Sequence, residues 1–280
     1  MSTSRPRTRP DPLAYLRHLT PRDRVLLAWL AEHQVLTTNQ IAEALFPSLR
    51  AAQKRLTLLY GIRAVDRFIW APAPTETASG YRYTLGPLGD LLHPSGRGRR
   101  SLLSWRAELA RSPKLPHLLG VNTFFIALAG YSRTHPGHQL ARWWSEREAT
   151  AVYTLAGIHP DGHGIWYSPN ATVGFFLEHD RGTETIATVM AKLPAYQRLT
   201  VAGPRYPVLL HVPGPSREAR LHRWLREWPP GIPVATTTHG RHPAEAVWAM
   251  VGHGGARLRL DELPSDHGPA GPDNLHRFEP

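Results

Sequence analysis

A single apolar segment places the strongest constraint on the fold of this 280-residue chain. Residues 173–177 contain no polar side chain, which is typical of a β-strand that is covered on both faces. Two carboxylates follow the segment, at Glu178 and Asp180. Because side chains two positions apart on a strand share a face, the sequence predicts that both carboxylates leave the buried strand on the same side. Charged groups in such a position need water, a cation or a metal ion as partners.

The composition favours a polyanionic partner. The chain has 33 basic and 22 acidic residues and a net charge of +11, which favours nucleic acid over an acidic small molecule, with an ordinary basic surface as the alternative. Cysteine is absent, which excludes disulfides and thiolate metal sites. No apolar run approaches the roughly 20 residues that span a bilayer, and residues 1–12, which we expect to be disordered, lack the apolar core of a signal peptide. We therefore expect a soluble, cytoplasmic protein without a membrane partner.

The first part of the chain has the pattern of three short helices followed by a hairpin. Thr20 precedes a proline at the first helical position, and Thr37 has capping-box spacing to a glutamine three residues later. After the third helix, strand-like runs at 64–70 and 81–85 flank a loop rich in proline and threonine. This order predicts a winged helix-turn-helix domain over residues 13–92.

The third predicted helix has an apolar stripe and, opposite it, a stripe of polar side chains. The polar stripe can reach phosphates and base edges in a major groove, so these residues are candidate DNA contacts. They are Arg50, Gln53, Lys54 and Thr57. The alternatives are a solvated helix face and a protein-binding face.

A basic segment follows the predicted wing. We expect residues 93–112 to form a linker and a connecting helix. Three arginines in it are candidate contacts to the phosphate backbone, with a solvated connector as the alternative. They are Arg97, Arg99 and Arg100.

From about residue 113 the pattern changes to one long apolar helix followed by alternating strands and helices. We expect the long helix at 118–132 and strands at 138–144, 164–167, 172–180, 207–212 and 232–237. Further helices are expected at 183–199, with a break at Pro194, and at 216–227. This order predicts a mixed sheet flanked by helices over residues 113–240, and an α+β fold for the whole chain. A C-terminal extension, 241–280, is expected to hold one short helix at 244–251 and to be largely disordered after residue 263.

The order of the elements in this second domain, and the acids in it, resemble the PD-(D/E)XK nuclease fold. In that fold an aspartate after a proline and an acidic pair on the next strand bind a divalent metal. Asp161 follows a proline here, and Glu178 lies 17 residues later. The resemblance implies a Mg²⁺ site formed by Asp161, Glu178 and Asp180, because a hard cation takes carboxylate oxygens and retained waters. Such a site would activate a water against a phosphodiester.

The chain departs from the motif at its lysine position, which Asp180 occupies. A lysine from the following helix, Lys192, is the candidate replacement and the fourth predicted catalytic residue. The rise along a helix from Thr183 to Lys192 is roughly 13 Å, so its reach to the acids is the open question. Tyr196 lies one turn beyond Lys192, near the same face.

Two other sets of side chains near the acids have metal-binding chemistry. His159, His163 and His179 with Asp161 are an alternative zinc site, although their spacing matches no tight ligand motif. Glu146 and Glu148 are expected at a solvated strand end, with a further carboxylate ligand as the alternative.

The chain as a whole resembles the replication-relaxation family of actinobacterial plasmids and integrated mobile elements. The matching pieces lie within about residues 13 to 200. They are 19–23, 35–41, 83–86, 116–122, 160–161 and 178–184, with Lys192 and Tyr196.

The resemblance implies a DNA-binding protein of plasmid replication or mobilisation, with double-stranded DNA and unidentified replication or mobilisation proteins as partners. It leaves two hypotheses open. In one, the second domain cuts or nicks DNA with a bound metal; in the other, it is catalytically silent in an initiator, repressor or assembly factor. A homodimer is expected, because winged-helix proteins often pair to bind two half-sites.

Overall fold

The structure is a computed structural model, and it describes residues 17, 19–69, 80–94, 102–201 and 203–267. The chain divides into two compact units, residues 1–115 and 116–280. Several predictions lie outside the described residues: the disordered N-terminus at 1–12, most of the wing loop, and Arg97, Arg99 and Arg100. No helix within the described ranges is both long enough and apolar enough to cross a membrane.

The first unit combines helices with a small antiparallel sheet. Its described elements are α1 (Pro21–His33), β1 (Leu36–Thr37), α2 (Thr38–Leu45), α3 (Leu49–Gly61), β2 (Val65–Ile69), β3 (Tyr81–Leu85), α4 (Pro87–Leu92) and α5 (Leu102–Arg111). The three strands have the order β1-β3-β2, and both neighbouring pairs are antiparallel. The sequence predicted α1, α2, α3 and the β2–β3 pair. It did not predict β1, because two residues are too few to show a periodic pattern.

Side-chain caps define where the first two helices begin. The Thr20 side chain accepts a hydrogen bond from the backbone of Asp23, and the Asp23 carboxylate accepts one from the backbone of Thr20. Thr37 and Gln40 form the same reciprocal box at the start of α2, at the spacing that the sequence predicted. Asp23 also accepts a hydrogen bond from Arg55 Nε at 2.9 Å, which ties α3 to the start of α1.

The second unit is built on a six-stranded sheet. Its elements are α6 (Leu115–Thr134), β4 (Gln139–Ser145), α7 (Glu146–Val152), β5 (Gly162–Tyr167), β6 (Thr172–His179), α8 (Ile186–Met190), α9 (Leu193–Leu199), β7 (Val208–Val212), α10 (Pro215–Glu227), β8 (Val234–Thr238) and β9 (Ala249–Met250). The strands have the order β4-β5-β6-β7-β8-β9. β6, β7 and β8 are parallel neighbours, and the other pairs are antiparallel. The predicted α+β class and the predicted mixed sheet with helices are therefore confirmed.

β6 is buried along its whole length, as the apolar segment predicted. Its side chains alternate between two apolar clusters. Phe176 packs with residues of α8, α9 and α10, whereas Phe175 and Leu177 pack with residues of α6 and with the C-terminal segment. The same alternation directs Glu178 towards the α9 side of the sheet and His179 towards the α6 side.

The prediction of a strand end at Glu146 and Glu148 was wrong. Both residues lie in the first turn of α7, which Ser145 caps by accepting a hydrogen bond from the backbone of Glu148. Serine is a favoured N-cap and glutamates are favoured in a first helical turn, so these local preferences outweighed the alternation seen in the sequence.

The short helix predicted at 244–251 was also wrong. The structure has turns there, followed by β9, in which Ala249 pairs with Thr236 of β8. The Trp248 indole is fully buried and donates a hydrogen bond to the Pro243 carbonyl oxygen at 2.8 Å. The apolar spacing in this segment therefore reflects tertiary burial and not a helical face.

The long helix predicted at 183–199 is two helices, α8 and α9. We expected the break at Pro194, but it lies earlier, at Ala191 and Lys192. Pro194 is in the first turn of α9, a position that proline favours because its missing N–H has no intrahelical acceptor there.

The described part of the C-terminal extension packs on the second unit. Arg257 donates hydrogen bonds to both carboxylate oxygens of Glu218 on α10, at 3.0 and 2.7 Å. Further along, His267 is buried and its Nδ1 lies 2.8 Å from the Tyr206 hydroxyl. Residues 264–267 thus contact the domain, and the disorder expected after residue 263 stays a prediction for 268–280, which lie outside the described residues.

A candidate carboxylate and histidine site at the ends of the parallel strands

Polar side chains collect where the three parallel strands end. β6 ends at His179, His211 is the next-to-last residue of β7, and His239 follows the last residue of β8. Strands that run parallel present their carboxyl ends at one edge of the sheet, the edge at which open α/β sheets bind ligands. The carboxylates predicted from the sequence, Glu178 and Asp180, lie at the same edge.

Glu178 is a buried carboxylate, with 3% of its surface exposed. Lys192 Nζ lies 2.6 Å from its Oε2, and the Tyr196 hydroxyl donates to its Oε1 at 2.5 Å. Lys192 reaches the strand because it lies at the break before α9, and Tyr196 follows one turn later. The sequence did not show whether Lys192 could reach the acids. The break between α8 and α9 brings its ammonium to the Glu178 carboxylate.

The surroundings of Glu178 shift its proton affinity. Burial, and after it the negative charge of Asp161, together raise the pKa of the Glu178 carboxyl to about 7, against the opposing effects of Lys192 and Tyr196. Burial acts to lower the pKa of Lys192, but the charge of Glu178 and the hydrogen bond with it outweigh burial, and the pKa is raised. Lys192 is therefore a cation at neutral pH.

Asp161 is the cross-strand neighbour of Glu178. The antiparallel register pairs Gly162 of β5 with Leu177 of β6. Asp161 precedes Gly162 and Glu178 follows Leu177, so these two residues stand opposite each other. Asp161 Oδ2 accepts a hydrogen bond from the His179 backbone N–H at 2.7 Å, which continues the ladder past the start of β5.

His117 of α6 holds the other oxygen of Asp161. His117 Nε2 lies 3.0 Å from Asp161 Oδ1. The hydrogen bond with Asp161 raises the pKa of His117, against the effect of burial. His117 was not predicted to join the acids, because nothing in its spacing connects it with a residue 44 positions later.

Asp180 has partners of its own. Its Oδ1 accepts a hydrogen bond from the Gly182 backbone N–H at 2.6 Å, and its Oδ2 accepts one from Arg217 Nε at 2.6 Å. Arg217, on α10, also donates to the Glu184 carbonyl oxygen at 2.7 Å. β6 ends at His179, so strand alternation does not extend to Asp180, and the structure joins Glu178 with Lys192 but Asp180 with Arg217.

Three histidines form a cluster on the α6 side of the same edge. One ligand nitrogen from each of His179, His211 and His239 lies within 4.8 Å of the others. Burial lowers the pKa of His179 to about 2 and that of His211 to about 3, and the neighbouring histidines add to both shifts. Burial also lowers the pKa of His239. All three imidazoles are therefore neutral near pH 7.

The zinc set predicted from the sequence is not the set that the fold assembles. Only His179 of that set belongs to the cluster. His163 is fully buried on the other side of β5, where its Nδ1 donates a hydrogen bond to the Phe175 carbonyl oxygen at 2.9 Å. His159 is exposed. His211 and His239 were not predicted as site residues, although His211 lies near the end of the predicted strand 207–212 and His239 lies just after the predicted strand 232–237.

The predicted DNA contacts lie together on α3 in the first unit. Arg50, Gln53, Lys54 and Thr57 are all exposed. In the opposite, apolar stripe Ala52, Leu56 and Leu59 are fully buried, whereas Leu49, in the first turn, is 45% exposed. The Thr57 hydroxyl donates to the Gln53 carbonyl oxygen at 2.9 Å.

A family model described as replication-relaxation matches residues 27–209, which is more than half of the chain. The chain belongs to the replication-relaxation family. The matched region includes the polar face of α3 and also Asp161, Glu178 and Lys192. It ends just before His211. Membership indicates a role in replication or mobilisation. No curated protein and no solved structure matches the chain.

Proposed function

We propose that this replication-relaxation protein binds double-stranded DNA of a plasmid or mobile element through its first unit. The observation that carries the proposal is the two-sided character of α3, whose polar stripe is exposed while most of its apolar stripe is buried. A helix held in this way can enter a major groove with its donors directed at the bases and phosphates. The net charge of +11 supports a polyanionic partner.

The order of elements supports a winged helix-turn-helix. α2 and α3 are consecutive helices, and β2 and β3 follow them as an antiparallel pair, which is the position of a wing. β1 completes the small sheet by pairing Leu36 with Tyr83. In this arrangement α3 is the recognition helix.

DNA binding is tested by fluorescence anisotropy with labelled duplexes over a range of salt concentrations. The variant is Arg50→Ala with Lys54→Ala, which keeps helix propensity and removes two charges from the exposed stripe. If both residues contact phosphates, the slope of log affinity against log salt falls by about 1.8. The matched control is Arg220→Ala with Arg223→Ala, two exposed arginines of α10. An equal loss of affinity in both double variants would contradict a recognition role for α3.

A second candidate function is metal-dependent cleavage of a phosphodiester by the second unit. The observation that favours it is the group formed by Lys192, Glu178 and the neighbouring Asp161. Asp161 and Glu178 are neighbouring carboxylates, and the charge of Asp161 acts to raise the pKa of Glu178, a repulsion that a bound divalent cation would relieve. A retired nuclease-like domain in an initiator, repressor or assembly factor is the alternative.

The donor chemistry of this group fits Mg²⁺. Asp161 and Glu178 would hold the ion, since each carboxylate oxygen that accepts one hydrogen bond keeps a second lone pair. We leave Asp180 out of the proposed site, because it pairs with Arg217 of α10 and not with the Lys192 group, and strand alternation ends before it. A bound Mg²⁺ would stabilise charge on the phosphodiester and lower the pKa of a water. Lys192 would hold Glu178 ionised and orient it.

Cleavage is tested with supercoiled and linear DNA in Mg²⁺ or Mn²⁺. The variant Asp161→Asn with Glu178→Gln keeps the side-chain shapes, and the exposed Glu227→Gln is the control. Metal-dependent cutting that only the double variant loses would support the nuclease function. No cutting in any metal, with equal DNA binding by all three proteins, would support the silent domain. Light scattering with the same samples tests the predicted homodimer.

A further inference from the structure

The histidine cluster is an independent feature of the second unit, on the opposite side of β6 from the Glu178 carboxylate. His179 and His211 are register partners on the parallel strands β6 and β7. His239 follows β8, so each histidine comes from a different parallel strand. Side chains at the ends of neighbouring parallel strands lie about 4.8 Å apart along the sheet, which brings three imidazoles together at one edge.

We propose that His179, His211 and His239 form a binding site for a transition-metal cation of the Zn²⁺ type. The three ligand nitrogens lie within 4.8 Å of one another, and the Nδ1 atoms of His179 and His211 are 3.1 Å apart. Two imidazole nitrogens on one tetrahedral zinc, with bonds of about 2.0–2.1 Å, stand roughly 3.3 Å apart. The spacing of these two nitrogens is therefore close to the spacing that one ion requires.

The backbone around the cluster orients the rings. His239 Nε2 lies 3.2 Å from the His211 carbonyl oxygen, and because a carbonyl only accepts, this nitrogen carries the proton. Histidine ligands of metals usually donate their second ring N–H to such a group, which leaves the other nitrogen with its lone pair. With Nε2 protonated, His239 would bind an ion through Nδ1.

A glycine on α6 makes room for the His179 ring. A Cβ atom at Gly120 would lie 2.1 Å from His179 Nε2. The helix therefore closes the Nε2 side of the ring, and Nδ1 is the nitrogen that faces His211. Gly120 acts as a positioning residue for the proposed ligand.

The type of ligand decides the class of metal. Neutral imidazole suits Zn²⁺ and its neighbours in the transition series, whereas Mg²⁺ takes carboxylates and waters. Three protein ligands leave the fourth position of a tetrahedral ion for a water or a substrate atom. His239 is half-buried, so the cluster is open to solvent on its side, while His179 and His211 are each 7% exposed.

The test uses the full-length protein without a polyhistidine tag, stripped of metal and titrated with Zn²⁺ against a chromogenic chelator. We expect one Zn²⁺ per chain. The variants His211→Gln and His239→Gln should each weaken Zn²⁺ binding by at least about 100-fold, since even the loss of an outer partner costs about 10–100-fold. The controls are His163→Gln, buried outside the cluster, and the exposed His159→Gln, both of which should bind Zn²⁺ like the parent.

X-ray absorption at the zinc edge gives a second measurement that needs no variant. It should show imidazole nitrogens about 2.0–2.1 Å from the zinc. Added Mg²⁺ should leave the ligands and distances of the zinc unchanged. Circular dichroism of the metal-free variants separates lost binding from lost folding. Equal Zn²⁺ affinity of parent and His239→Gln, or a zinc shell without imidazole, would show that the cluster is only a hydrogen-bonded group and would overturn the proposal. DNA binding and cleavage are measured separately, so they can fail without affecting it.

Discussion

Lys192 Nζ lies 2.6 Å from Glu178 Oε2, so the ammonium at the break between α8 and α9 is paired with the carboxylate at the end of β6. Tyr196 completes the contact from one turn further along α9. The pair joins the helical layer to the sheet at the edge where the candidate ligands collect. It explains how the chain keeps a carboxylate at the end of a fully buried strand.

Lys192→Met should destabilise the protein by about 1–3 kcal/mol, because it leaves the buried Glu178 without its cation while the lysine itself is partly exposed. Urea denaturation at pH 8 in the presence of a chelator measures the change. Lys114→Met is the matched control, since Lys114 is exposed before α6. Equal midpoints for the two variants would show that the pair contributes no stability.

Gly120→Ala should also destabilise the protein, because the added Cβ would lie 2.1 Å from His179 Nε2. Overpacking costs about 1–3 kcal/mol, more than the gain of up to about 1 kcal/mol for alanine in a helix. The comparison is Gly61→Ala at the end of α3, where a Cβ would meet nothing within 4 Å. A stabilised Gly120→Ala in the same urea experiment would mean that His179 moves away without cost.

Asp23→Asn should show a pH-dependent loss of stability. Burial acts to raise the pKa of Asp23, but hydrogen bonds from Arg55 and Thr20 outweigh it, and the folded-state pKa is lowered. A lowered pKa contributes stability above the unfolded value of about 3.9 and loses it as the pH falls through the folded value. The variant should therefore lose about 2 kcal/mol at pH 7 and much less at pH 3.

Urea titrations of this variant at several pH values check the prediction, with the exposed Glu108→Gln as the control. A loss that is the same at pH 3 and at pH 7 would assign the effect to packing of the α1 cap and not to the charge of Asp23.

Arg257→Met should loosen the C-terminal segment from α10. Glu218 is 6% exposed, and Arg257 donates to both of its oxygens, so the variant leaves a buried carboxylate that accepts a hydrogen bond from Thr236 but has lost its guanidinium partner. We expect a loss of about 2–4 kcal/mol. Arg223→Met, on the exposed face of α10, is the control. Faster hydrogen exchange in 247–258 in the first variant only would confirm that the ion pair holds this segment.

Local patterns in the sequence determined much of the secondary structure. Capping residues such as Thr20 and Thr37 have their effect within one helical turn, and so the starts of α1 and α2 could be predicted from spacing alone. The apolar segment of β6 likewise required burial on both faces, because no polar side chain was present to face water. The segment 244–251 was mispredicted because its apolar residues are buried by distant parts of the chain, an effect that no local period contains.

The sequence by itself determined most of the longer helices and strands, the buried central strand and the position of Glu178 at its end. The tertiary structure decided the partners. Lys192 meets Glu178 because the helix breaks before α9, and Asp161 meets His117 because α6 packs beside β5. The three histidines meet because parallel strand order places separate strand ends at one edge. These contacts join residues far apart in the chain, and only the packing of helices and strands brings such residues within bonding distance.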